Sequence, residues 1–169
     1  MSFQETFAPE EWSVIATVPH MIGTAVMMAS FSGLGGTVKE AFSLATSLAE
    51  GRAGSNALLK ELTAPEQISA AQTEFRAEIK ALDPANLKPQ LNAMAIDRSK
   101  QAIEILASKA PGEVGPYKQW LMDIAFGVAN ASKEGGFLGF GGKRISDAEN
   151  EMLNSISEAL GVPIPAAQV

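Results

Sequence analysis

Three observations predict an all-α fold for this chain. Apolar residues recur at spacings of three and four along most of its 169 residues. Candidate helix starts and stops are marked by capping residues, glycines and prolines. No run alternates β-branched with polar residues, and no Asn-Gly or Asp-Gly hairpin turn occurs.

From Trp12 to Leu34 the only ionisable side chain is His20. Trp12, Ile15, Ala16, Pro19, Ile22, Gly23, Val26 and Met27 follow one helical face there, with a kink or break expected at Pro19. The length would suit a membrane span, but Pro19, His20, several hydroxyls and flanks without basic residues favour a central helix buried on all sides. A second stripe, Val38, Ala41, Phe42, Ala45, Leu48 and Ala49, is opened by the capping pair Thr37 and Glu40 and closed near Gly51. A short helix follows from Asn56 to Leu62. The next is expected to open on a capping box of Thr63 with Glu66, to carry Ile68, Ala71, Phe75, Ile79 and Leu82, and to end by Asp83-Pro84.

Leu91, Met94, Ala95, Ala102 and Leu106 mark a long helix with Pro89 in its first turn, interrupted at Pro111-Gly112. Tyr117, Trp120, Leu121, Ile124, Val128 and Ala131 form the next stripe, starting near Pro116. Ser146 and Glu149 cap a last helix through Met152, Leu153, Ile156 and Leu160, stopped by Gly161 and Pro163. The expectation is a compact single-domain bundle of about seven helices over residues 1–162, with residues 163–169 a proline-containing tail outside it.

Charge and composition narrow the function. Thirteen Lys and Arg against nineteen Asp and Glu give 13 − 19 = −6, the wrong sign for a nucleic-acid binder. The absence of cysteine removes disulfides, zinc-thiolate sites, iron–sulfur clusters and cysteine nucleophiles. His20 is the only imidazole and Tyr117 the only phenol, so histidine-rich metal centres cannot be built within one chain. His20 reads either as a proton switch or as a buried histidine, and the second is the commoner fate of a lone histidine on an apolar helix. No Lys or Arg precedes Lys39, which is not the charge of a secretory leader and predicts a cytoplasmic protein.

One architecture is used twice: helix, glycine loop, capped helix. The first instance contains Ser32-Gly33-Leu34-Gly35-Gly36 before Thr37-x-x-Glu40. The second contains Glu134-Gly135-Gly136-Phe137-Leu138-Gly139-Phe140-Gly141-Gly142, then Lys143-Arg144-Ile145 and Ser146-x-x-Glu149. Glycines before a helix start suit a phosphate cradle. The Walker pattern fails, however: Phe137 stands where its first glycine belongs, and Arg144 follows Lys143 in place of Ser or Thr. Phe137, Leu138 and Phe140, beside Lys143 and Arg144, form either a docking patch for a partner or lipid surface, or a plug folded back over the helix ends.

The string Trp120-Leu121-Met122-Asp123-Ile124-Ala125, with Ala129-Asn130-Ala131, Glu134-Gly135 and Ile145-Ser146-x-x-Glu149 leading to Leu160-Gly161, resembles the second half-motif of the tellurite-resistance TerB-like proteins. Residues 25–44 resemble the first half-motif more weakly, and the GGFLGFGG loop with its Ser-x-Ala-Glu cap is similar to small bacterial helical proteins. The resemblance covers about a third of the chain. It implies an all-helical cytoplasmic domain associated with stress responses, in which acidic residues of the two loops bind a divalent cation. Here those residues would be Glu134 and Glu149. The family's Asp-Gly is Ser32-Gly33 in the first loop and Glu134-Gly135 in the second, and the calcium-loop series of alternating acids is absent.

The sequence therefore leads to a non-enzymatic interaction module with a protein partner, monomeric or homodimeric. The alternative is a peripheral membrane protein docking through Phe137–Phe140 without spanning the bilayer. A carboxylate enzyme would need two converging acids in a pocket.

Overall fold

The computed structural model describes residues 2–29, 54–133 and 145–166. Within them the secondary structure is helical, with no strand. We number the α-helices in chain order: α1 Pro9–Ala29, α2 Ala57–Leu62, α3 Pro65–Lys80, α4 Leu87–Lys109, α5 Val114–Lys133 and α6 Asp147–Leu160. Short 3-10 turns lie at Gln4–Thr6, Pro84–Asn86 and Pro111–Glu113. The expected helix over 38–49 and both glycine loops lie outside the described residues.

Helix α1 is the axis of the bundle, packed by α3, α4, α5 and α6. Every residue from Val14 to Gly23 is buried, whichever way it points, because neighbours surround the helix. Ile15, Val18, Met21 and Ile22 are fully enclosed, and each such side chain contributes about 1.5–3 kcal/mol relative to exposure. Among the described residues α1 is the one helix long and apolar enough to cross a membrane, and most of it is packed inside the protein.

The directions of the helices follow from contacts at their ends. Lys109, at the end of α4, pairs with Glu11 at the start of α1, while Lys88 at the start of α4 donates to the Ala29 carbonyl, 3.3 Å away, at the end of α1. Thus α1 and α4 are antiparallel. Tyr117, near the start of α5, reaches Ile15, so α5 runs with α1. Gly161, just past α6, faces Lys118 near the start of α5, so α6 runs antiparallel to α5 and parallel to α4.

Local chemistry explains most boundaries. Asn56 caps α2 through its side chain, accepting from the Leu59 N–H at 2.8 Å. Helix α6 has both arms of its capping box and ends on Gly161 at φ 63°, the left-handed position that favours glycine. One expected cap is corrected. Helix α3 begins at Pro65 after Ala64, with no side-chain cap. Thr63 is buried, and its hydroxyl donates 2.6 Å back to the Leu59 carbonyl of α2. Proline at the first helical position already has its φ set and has no N–H to satisfy.

Two packing details extend the expectations. The N-terminal turn is pinned by the Glu61 carboxylate, which accepts from the N–H groups of Phe3 and Gln4, both at 2.8 Å. Past α6 the Ser157 hydroxyl donates to the Val162 carbonyl at 2.6 Å, and Ile164 packs against the core. Packing thus continues two residues beyond the expected boundary at 162.

Candidate functional site

The single phenol and the single imidazole both sit against the axis of the bundle. Proline at position 19 carries no N–H, so α1 cannot make the usual bond back to the carbonyl of Ile15. Tyr117 supplies the missing donor: its hydroxyl, fully buried, lies 2.8 Å from the Ile15 oxygen. Helix α1 therefore runs without a break through Pro19. Burial raises the Tyr117 phenol well above its ordinary pKa of 10. His20 is 4% exposed, and its imidazole makes no hydrogen bond to a described residue. Burial pushes its pKa from 6.5 down to about 4, so it is neutral at physiological pH.

Of the residues expected to form a site, Glu149 is the one within the described residues. Its Oε2 accepts from both the backbone N–H and the hydroxyl of Ser146, each at 2.7 Å, while the Glu149 N–H donates to the Ser146 hydroxyl at 3.3 Å. The side chain is buried. A cation on Glu149 Oε2 would compete with this cap, and among the described residues no three acidic or histidine side chains converge. Glu134, Phe137, Leu138, Phe140, Lys143 and Arg144 lie outside the described residues.

A concavity lies elsewhere on the described surface. A groove of about 710 Å³ runs between α4 and α6, with Ala29 at one end. Its α4 wall carries Lys88, Asp97 and Lys100; its α6 wall carries Glu151, Ser155 and Glu158, all of them exposed. Small or apolar side chains form the base, among them Ala93, Ile96, Met152 and Ala159. The described ion pairs are Arg98 with Glu78 and Lys109 with Glu11, so no salt bridge crosses the groove. The sequence did contain a signal, in Lys88, Asn92, Ile96 and Lys100 at every fourth position and in Glu151, Ser155 and Glu158 on one face of α6. Charges at helical spacing read as solvated surface until a second helix lies beside them.

The groove's charged walls are exposed, Met152 and Ala29 beneath them are buried, and neither the phenol nor the imidazole reaches it. Comparison with models of known protein families, with curated proteins and with solved structures finds no match for this chain.

Proposed function

We propose that the chain is a non-enzymatic, all-helical interaction domain of the TerB-like kind, working in the cytoplasm, with the groove between α4 and α6 as its docking surface. The observation that carries the reading is the structural employment of its reactive groups. Tyr117 completes the hydrogen bonding of α1, His20 is enclosed and neutral, and Glu149 closes the start of α6. The groove, by contrast, presents charge in two rows with an apolar base, the composition of a surface that recognises another surface. The TerB-like part of the reading rests on the motif from Trp120 to Gly161.

Two measurements on the full chain test it. The first is sedimentation with anionic vesicles, and the second is melting of chelator-treated protein with calcium, magnesium, manganese or zinc. Protein that stays in the supernatant supports the docking domain. Co-sedimentation lost in Phe137→Ser with Phe140→Ser would overturn it in favour of a lipid-surface protein. A saturable rise in Tm with one ion, abolished by Glu134→Ala, would add the cation that the family resemblance implies; equal melting with all four leaves the docking role metal-independent.

A further inference from the structure

We propose that the occupant of the α4–α6 groove is a second copy of this chain, related by a two-fold axis parallel to the helices. This deepens the interaction reading above and rests on it.

The argument is one of self-complementarity. Because α4 and α6 run in the same direction, Lys88 and Glu151 lie toward one end of the groove and Lys100 and Glu158 toward the other. A two-fold axis parallel to the helices lays α4 of each copy over α6 of the other. Lys88, which donates one N–H to the Ala29 carbonyl and keeps two others, then meets Glu151 of the second copy, Lys100 meets Glu158, and each pair occurs twice, as in any isologous interface. Asp97, which interrupts the basic row, comes level with Glu158 of the second copy, about 4 Å along the axis from Lys100, so Lys100 stands between two carboxylates there.

The other face-to-face arrangement, with the axis across the helices, stacks α4 on α4 in opposite directions. It sets Lys88 against Lys100 and Glu151 against Glu158, like on like. Charge therefore selects one axis and rejects the other.

The dimensions agree. At 1.5 Å per residue the lysines are about 18 Å apart along α4 and the glutamates about 10 Å apart along α6. The offset of roughly 4 Å at each end is within the reach of a lysine stem. Ala93 and Ala159 let the paired helices approach, and half-buried Ile96 supplies apolar contact between the walls.

The experiment is sedimentation equilibrium of the full chain over about two decades of concentration, on wild type, Lys100→Glu, Glu158→Lys and a 1:1 mixture of the two variants. Both substitutions are at exposed positions, and circular dichroism checks that each variant folds. The wild type is expected to dimerise reversibly. Each single variant places like charges opposite one another twice, and its self-association weakens at least about tenfold. In the mixture every pair is opposite in sign, because one chain carries Glu at both positions and the other Lys at both. Dimer is expected to return there. A wild type that stays monomeric throughout, or a mixture as dissociated as the single variants, would overturn the proposal. Vesicle binding is read separately, so failure of the dimer and failure of the interaction reading are distinguishable.

Discussion

Replacing Tyr117 by Phe removes one oxygen atom from the interior and tests how α1 tolerates a proline at its centre. The Tyr117 hydroxyl donates to the Ile15 carbonyl over 2.8 Å, and Tyr117 is 0% exposed, so water cannot take its place without opening the core. Phenylalanine keeps the ring and leaves a buried carbonyl without a donor, at a cost of about 1–3 kcal/mol. For a chain of 169 residues a loss of about 2 kcal/mol lowers Tm by roughly 4–8 °C.

The control is Pro19→Ala, which restores an N–H at the position that normally bonds the Ile15 carbonyl. In that background Tyr117→Phe should cost less, by a coupling of about 1 kcal/mol or more. The assay is urea or thermal unfolding of the wild type, the two single variants and the double variant. An equal cost of Tyr117→Phe with and without Pro19 would refute the reasoning, because the hydroxyl would then serve something other than the proline gap.

Further outcomes can be checked in the same way. His20 has a folded pKa of about 4 against 6.5 unfolded, so its contribution is complete above pH 6.5 and is lost as pH falls toward 4, reaching about 3 kcal/mol. Unfolding from pH 7 to 5 should show the start of this loss in the wild type and a flatter curve in His20→Gln. Glu11, held down by Lys109 and the Ala8 N–H, and Asp83, held down by the Asn86 side chain and the Ala85 N–H, lose their contributions only below their ordinary values of 4.5 and 3.8. Their losses therefore fall below the pH 7 to 5 range in which His20 is followed. Ser146→Ala removes the hydroxyl arm of the α6 cap and should cost about 1 kcal/mol by thermal unfolding. Gly161→Ala, at φ 63°, should cost a similar amount, about 1 kcal/mol, through backbone strain, since the new methyl group would meet only the Lys118 Nζ at an unstrained 4.0 Å. Glu61→Ala should release the N-terminal turn, seen as faster proteolysis between Phe3 and Phe7 with little change in the cooperative melt.

Local signals carried the fold well. The stripe from Trp12 to Met27 reads as a buried central helix because it lacks charge over its whole circumference, and α1 is enclosed on all sides. Ser146 with Glu149 and Gly161 bound α6 because each acts within one turn. Thr63 with Glu66 failed for a local reason as well: Pro65 intervenes and claims the helix start, and burial turns the threonine hydroxyl onto α2. What composition and spacing could not convey is contact between segments far apart in the chain. Tyr117 reads as one more core position of an apolar stripe; its role depends on Pro19, 98 positions earlier. The α4–α6 groove is hidden for the same reason, since its walls are unremarkable until the parallel course of the two helices brings their charges together.

The position of α1 as the axis has a consequence for synthesis. The helices that enclose it all follow it in the chain, the last beginning at Asp147. At about 5–20 residues per second, translation leaves roughly 6–26 s between the emergence of α1 and the arrival of that final partner. Throughout that interval the nascent chain carries an incompletely shielded apolar segment long enough to pass for a membrane anchor. The domain thus has a sequential vulnerability absent from its finished form: early folding must hold α1 through incomplete, distant contacts, and factors that scan nascent chains for hydrophobic segments meet it first.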